Sequence, residues 1–313
     1  MKKTLKAIGI LSLVLLVLVL AMFIYHRMKL SKEKYLMQPL GELVEVNGHN
    51  MSIYTEGEGS KTLVFLSGGG TSSPILDFRS LYSLLSEDYK IVVVEKFGYG
   101  FSDIVDEERP IEVILGETRA ALTAAGIEGP YVLCPHSMSG IEAIYWAQSY
   151  PEEVEAIIGL DMAVPASYEN YKINMPMIKL GNYAINIGLT RWIPGVSESD
   201  AMKYGTLTEE EKEICRAVFF SRTATITMMN EVEIILENAQ KVGAGNKPDI
   251  PMLLFISNGT GTSFEEDIWR QTQKEYLKDI TIGSYMELDC PHYVHDYEYE
   301  RISQEMIRFL ADK

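Results

Sequence analysis

Tyr131-Val132-Leu133-Cys134-Pro135-His136-Ser137-Met138-Ser139-Gly140, followed by the apolar-periodic run 141–150, is the stretch whose reading decides the fold. A short apolar segment that ends in small residues and passes at once into helical periodicity predicts strand, sharp turn, helix, with Ser137 at the apex. A serine hydroxyl is a poor nucleophile until a base takes its proton, and a tight turn pushes it clear of its own backbone toward such a base. The same turn aims the amide of Met138 at the space where an oxyanion would form, beside the positive end of the new helix. Taken alone, a serine at this place also fits a helix N-cap. The flanking segments favour the nucleophile.

These residues resemble the nucleophile segment of the α/β-hydrolase family, whose pattern is Gly-x-Ser-x-Gly, often with His before the serine and Met after it. The chain keeps His136-Ser137-Met138 and places Pro135 and Ser139 where the family has glycines. Ser139 is nearly small enough for the crowding of helix on strand, whereas Pro135 needs a turn that suits its fixed φ.

Upstream, 42–46 and 49–54 alternate around Asn47-Gly48, which predicts a β-hairpin. Residues 61–66 are a continuous apolar run of the kind buried on both faces of a sheet, and they end in Ser67-Gly68-Gly69-Gly70. In the family this glycine-rich loop supplies the second oxyanion amide, which the resemblance puts at Gly69, with Gly70 one residue away. Residues 75–87 read as a helix and 90–95 as the next buried strand. The segment 96–103 then looks like the family's Asp-x-x-Gly-x-Gly-x-Ser turn, with Glu95 in place of the acid. A dinucleotide loop is excluded because the third glycine and the distal acid are missing. With a helix over 111–125, strand and helix alternate. The expected fold is therefore a mostly parallel, doubly wound α/β-hydrolase sheet, with turns gathered at one edge.

Of five histidines, His26 flanks an apolar segment, His49 lies in the hairpin and His136 sits beside Ser137. The remaining two, His292 and His295, follow the last strand, read over 281–288, and precede a final helix over 296–311. The family's base occupies this loop, which the resemblance assigns to His292, with His295 in reserve. The acid usually follows the strand represented by 250–257, but no carboxylate occurs there until Glu265. A minority of the family places it one strand earlier, where 154–160 ends in Asp161. An acid at a strand's carboxyl end can hold a histidine in the tautomer that accepts the serine proton. Asp161 is chosen, with Glu265 and Asp267 as fallbacks.

The remaining segments set the context. Residues 1–35 form an anchor and its basic flank: 7–25 is an unbroken apolar run long enough to cross a bilayer, with no small-x-small cleavage site after it. A single-pass anchor is expected; Lys2, Lys3 and Lys6 on one side face Arg27, Lys29, Lys32 and Lys34 on the other, so charge leaves its orientation open, and a short tail inside the cell with the domain outside is the reading taken. Residues 36–313 hold 21 basic and 43 acidic side chains, a net charge of −22, which makes nucleic acid and free contact with an anionic lipid surface poor partner classes. Cys134, Cys215 and Cys290 lack metal-ligand spacing and read as buried thiols, although Cys134 and Cys290 could pair. The stretch of about 165–247 breaks the strand rhythm and looks like the family's helical cap, with a capping box at Thr208 opening a helix toward Phe220 and a further helix over 225–241. Its soft and aromatic side chains, among them Met175, Met177, Tyr183, Trp192, Met228 and Met229, are expected mostly to pack the cap on the core, with a minority lining the pocket.

The expectation is thus a membrane-anchored serine hydrolase of a small, apolar ester or amide, without metal or organic cofactor. Ser137, His292 and Asp161 form its triad, and Met138 and Gly69 its oxyanion hole. An aminopeptidase of the proline iminopeptidase kind is one alternative. A binding protein that kept the fold and lost catalysis is the other.

Overall fold

The computed structural model describes residues 2–311. The chain begins with α1 (Lys2–Glu33), which carries the apolar run, followed by the hairpin β1 (Glu42–Val46) and β2 (His49–Glu56). Then come β3 (Thr62–Leu66), α2 (Pro74–Asp77), α3 (Arg79–Tyr82), β4 (Lys90–Glu95), α4 (Ile111–Ala124), β5 (Tyr131–Pro135), α5 (Ser139–Ser149) and β6 (Val154–Leu160). An insertion follows, of α6 (Met175–Asn186), α7 (Asp200–Tyr204), α8 (Glu209–Arg222), α9 (Ile226–Glu233) and α10 (Ile235–Ala244). The chain then returns to the sheet through β7 (Met252–Ile256), α11 (Glu266–Leu277), β8 (Gly283–Glu287), α12 (Val294–Tyr297) and α13 (Tyr299–Ala311).

The eight strands form one sheet in the order β1-β2-β4-β3-β5-β6-β7-β8. β1 and β2 pair antiparallel, as does β2 with β4, and every other pairing is parallel. Side chains alternate across the sheet. Val64, Leu66, Leu133, Ile157 and Leu254 enter one core with α4, α5 and α10, while Leu63, Phe65, Val132, Ile158 and Phe255 enter a second with α3 and α13. Two buried faces explain why β3, β5 and β7 read as continuous apolar runs.

Three helices expected as single pieces are broken. The helix read over 75–87 is two short helices meeting at Phe78, a buried ring that packs 5.2 Å from the Phe65 ring. The helix read over 225–241 turns at Ile234, and the one over 296–311 turns at Glu298. Periodicity runs through all three breaks because residues on both sides still bury apolar side chains. The capping box at Thr208 is present: its side chain accepts from the Glu211 amide at 3.2 Å, and a Glu211 carboxylate oxygen accepts from the Thr208 amide at 2.8 Å.

α9 is tied to the sheet by buried charge. Lys96 donates to Glu231, and the Tyr99 hydroxyl donates to the other Glu231 oxygen at 2.6 Å. Asn238 accepts from the Ile111 amide at 2.9 Å and donates to the Arg109 carbonyl at 3.0 Å. Helix α5 meets the chain after β6 so closely that a Cβ on Gly140 would lie 2.1 Å from the Ala163 carbonyl oxygen. We expect Gly140→Ala to destabilise the fold by about 3 kcal/mol or to prevent folding. Chemical denaturation checks this, and an unchanged midpoint would contradict it.

Glu95 is fully buried at the end of β4, where it accepts the Phe101 amide at 2.8 Å. Burial pushes its carboxyl up to about 7. Because the folded value lies above the unfolded one, this group's contribution to stability is fully present below the unfolded value, about 4.3, and is lost as pH rises through about 7. Glu95→Gln stays neutral, so it should gain on wild type between about pH 5 and pH 8 by up to roughly 3 kcal/mol. Urea unfolding across that range reads the gap, and a gap independent of pH would contradict the assignment.

Candidate active site

Ser137 sits where β5 passes into α5, in the left-handed region at φ 53°. That conformation is costly for a residue with a side chain and is held by its surroundings. A Cβ on Gly68 would lie 2.7 Å from the Ser137 Cβ, so the loop after β3 passes the serine at a distance only glycine permits. The Ser137 carbonyl accepts from the Ala163 amide at 2.8 Å, and the His136 amide donates to the Leu66 carbonyl at 2.9 Å. Pro135 closes β5 without an amide to donate, so the ladder to β3 continues through His136. Ser139 turns its hydroxyl inward, within reach of the Leu66 and His136 carbonyls at 2.6 and 2.8 Å, which is how a serine fits where the family has glycine.

His292 lies in the loop between β8 and α12. Its Nε2 is 2.8 Å from the Ser137 Oγ, and its Nδ1 is 2.6 Å from an Asp161 Oδ2 oxygen. Asp161 directly follows β6, at φ 51° and without solvent exposure. Its carboxylate also accepts from the Ser257 amide at 2.7 Å, the Ser257 hydroxyl at 2.7 Å and the Trp269 indole at 2.8 Å. A buried carboxylate with every lone-pair direction occupied is a fixed anion, able to orient a ring and balance its charge. Ser137, His292 and Asp161 thus form one hydrogen-bonded chain of atoms.

The fallback acids stand elsewhere. Glu265 and Asp267 are exposed at the start of α11. His295, the reserve base, is fully buried, and its Nε2 meets an Asp77 carboxylate oxygen at 3.0 Å. His136 is enclosed as well, with its ring 4.5 Å from that of His292, and burial holds it well below the usual histidine value, as a neutral ring. The ligand atoms of Asp77, His136 and His295 lie within 4.8 Å of one another, a grouping that their spacing in the chain concealed. The three cysteines are free and buried, so Cys134 and Cys290 do not pair. Burial pushes the Cys215 and Cys290 thiols up to about 12, which leaves them unreactive.

The serine opens into a cleft of about 400 Å³. Gly69, Gly70 and Met138 line its floor, and a Cβ on Gly69 would lie 2.8 Å from the Met138 side chain. Tyr168, Tyr171, Ile178, Met228, Met229 and Phe264 are among the residues that form its walls. Of the insertion's soft residues, Met228 and Met229 thus face the cleft, whereas Met177, Tyr183 and Trp192 are exposed rather than packed on the core. Ser257 and Trp269 are the site residues that motif reading missed. Ser257 stands just past β7, the strand that usually carries the acid, and that position was its only signal.

No family model matches the chain. YbdG, an uncharacterized protein of Bacillus subtilis strain 168, is 35% identical over 310 residues, covering 97% of this chain and 95% of that protein. Among solved structures, a mutant epoxide hydrolase from Bacillus megaterium, complexed with its product, superposes with a TM-score of 0.65 at 18% identity. It covers 86% of this chain and 100% of that one. The enol-lactonase from Burkholderia xenovorans LB400 superposes with a TM-score of 0.61 at 15% identity, over 86% of this chain and 100% of that one. At such identities the likeness speaks for the fold, and the curated relative speaks for the family. The chain is therefore a member of the family of Bacillus subtilis YbdG, built on the α/β-hydrolase fold.

Proposed function

We propose that this protein is a membrane-anchored serine hydrolase that cleaves the ester bond of a small, largely apolar substrate through an acyl-enzyme. The observation that carries this is the unbroken hydrogen-bond chain from Ser137 Oγ through both nitrogens of His292 to Asp161. His292 Nε2 takes the hydroxyl proton as Ser137 attacks the carbonyl carbon, and Asp161 balances the charge that forms on the ring. The amides of Met138 and Gly69 receive the oxyanion. The tetrahedral intermediate collapses, and the leaving alcohol departs with the proton from His292. Water, deprotonated by the same nitrogen, then attacks the acyl-enzyme, and His292 passes that proton to the Ser137 Oγ as the acid is freed, which restores the starting state. A serine at this position, rather than a carboxylate, separates the chain from epoxide-hydrolase chemistry.

Residues 36–313 act as the catalytic domain, and 165–247 as a cap that supplies the apolar walls. Residues 7–25 cross the bilayer: α1 is long and apolar enough, and its apolar stretch is not buried against the domain. Basic residues flank the run on both sides, Lys2, Lys3 and Lys6 before it and Arg27, Lys29, Lys32 and Lys34 after it, and the short leading tail is proposed to stay inside with the domain outside the cytoplasm.

An ester is preferred to a peptide with a free amino terminus because the residues lining the cleft include no aspartate or glutamate to meet an ammonium group. Asp77, Glu198 and Asp200 line a separate cavity of about 250 Å³ that shares Gly70 and Tyr293 with the cleft. That acidic neighbour is the observation favouring the aminopeptidase alternative.

The test uses the full chain in detergent with p-nitrophenyl esters of increasing chain length and a prolyl amide. Esters should be hydrolysed in preference to the amide. Ser137→Ala should abolish turnover, while His292→Ala and Asp161→Asn should each lower kcat by about a thousandfold or more. Preference for the prolyl amide would instead favour the peptidase, a folded and inactive wild type would favour the binding protein, and full activity in Asp161→Asn would remove that residue from the mechanism.

A further inference from the structure

The insertion carries an exposed apolar face that neither the core nor the cleft uses. Met177, Leu180, Tyr183, Leu189, Trp192 and Ile193 are each between 41% and 62% exposed, and all six fall within 17 residues. Met177, Leu180 and Tyr183 follow one another at three-residue spacing along α6, which puts them on one side of the helix. The opposite side serves the cleft: Ile178 lines it, and Asn182 donates to the Ala224 carbonyl at 2.6 Å. Helix α6 therefore separates the cleft from an apolar outer surface.

The end of α1 is fastened beside that surface. Arg191 donates to both Glu33 carboxylate oxygens at 2.8 and 2.6 Å and to the His26 Nδ1 at 2.9 Å. Gly188, at φ 78°, lets the chain approach so closely that a Cβ there would lie 2.4 Å from the His26 Cβ. The Tyr25 and Trp192 rings stand 5.5 Å apart. These contacts begin where the apolar run of α1 ends. The run, 7–25, rises about 28 Å at 1.5 Å per residue, close to the thickness of a hydrocarbon core. Tyr25 and Trp192 thus fall at the depth where aromatic side chains favour a membrane interface.

Charge selects the same surface. In a domain with 43 acidic residues, 170–197 contains none, while Lys172 and Lys179 are basic and exposed and the charge of Arg191 is met by Glu33. On the anchor side Arg27, Lys29, Lys32 and Lys34 add to this. The net charge of the whole domain conceals a local patch that anionic headgroups would attract.

We propose that the outer face of α6, together with 187–193, lies in the headgroup and upper acyl layer of the bilayer that α1 crosses. The cleft then sits against the leaflet, and its substrate is an amphiphilic ester presented by the leaflet. The proposal rests on the anchor reading given above and adds to it the docked face and the source of substrate.

The chain has three tryptophans, and since Trp146 and Trp269 are buried, quenching by acyl-brominated lipid reports on Trp192. The full chain is reconstituted into phosphatidylcholine–phosphatidylglycerol vesicles with bromine in the acyl chains. Emission from Trp192 should be quenched, and Trp192→Phe should show that the signal belongs to it. The double variant Met177→Glu, Leu180→Glu should lose the quenching and raise KM for a long-chain ester held in the vesicles about tenfold or more. KM and kcat for a short water-soluble ester should stay unchanged, which also shows that the variant folds. A chain that alkaline carbonate strips from the vesicles overturns the anchor and this proposal with it. A chain that stays inserted with Trp192 unquenched overturns this proposal alone, whether the face is bare or covered by a second copy. A quenched Trp192 in a chain inactive on every ester upholds the docked face and overturns only the hydrolase reading and its substrate source.

Discussion

The buried carboxylate of Asp161 is the constraint on which the site depends. An ion without access to water must be met by hydrogen bonds or it neutralises, and here it is met from three directions. Ser257 comes from the end of β7, Trp269 from α11 and His292 from the loop after β8. Satisfying one anion therefore pins three segments that are distant in the chain to the carboxyl end of β6. The position of His292 relative to Ser137 is a consequence of that satisfaction, and so is the tautomer that leaves Nε2 free to accept a proton. With the acid after β6, the place after β7 is held by Ser257, which serves the same carboxylate as a donor through its amide and its hydroxyl.

A second network links the insertion to the sheet. Lys96, Glu231 and Tyr99 make a buried triad of charge and hydroxyl that holds α9, and Asn238 on α10 accepts from the Ile111 amide and donates to the Arg109 carbonyl. Removing one partner of the Lys96–Glu231 pair strands a buried charge, at a cost of several kcal/mol, so α9 is held firmly beside the cleft, and α10 follows through Asn238. On the far side, α6 meets the site through Ile178 and the bond from Asn182 to the Ala224 carbonyl. The insertion thus has an inner part bound by charge to the core and an outer part bound to α1.

Much of this was legible in the chain because the signals were local. Strands buried on both faces leave continuous apolar runs, the turn at Ser137 leaves small residues between a strand and a helix, and the resemblance to α/β-hydrolases pointed to Asp161 because 258–262 lack a carboxylate. The breaks at Phe78, Ile234 and Glu298 were hidden because apolar spacing persists across them. Ser257 and Trp269 were hidden because their role is to satisfy an anion that only the fold brings near. The exposure of Met177, Tyr183 and Trp192 was misjudged for a related reason: an apolar helix face looks the same in sequence whether it meets a core or a lipid.

The central claim is that Ser137 is a nucleophile activated through His292 by Asp161, and covalent capture tests it most directly. The full chain would be treated with a fluorophosphonate, digested, and mapped by mass spectrometry, alongside Asp161→Asn. The account predicts one adduct per chain, located on Ser137, and much slower capture in the variant. An adduct on another residue, or none on a folded chain, would contradict it.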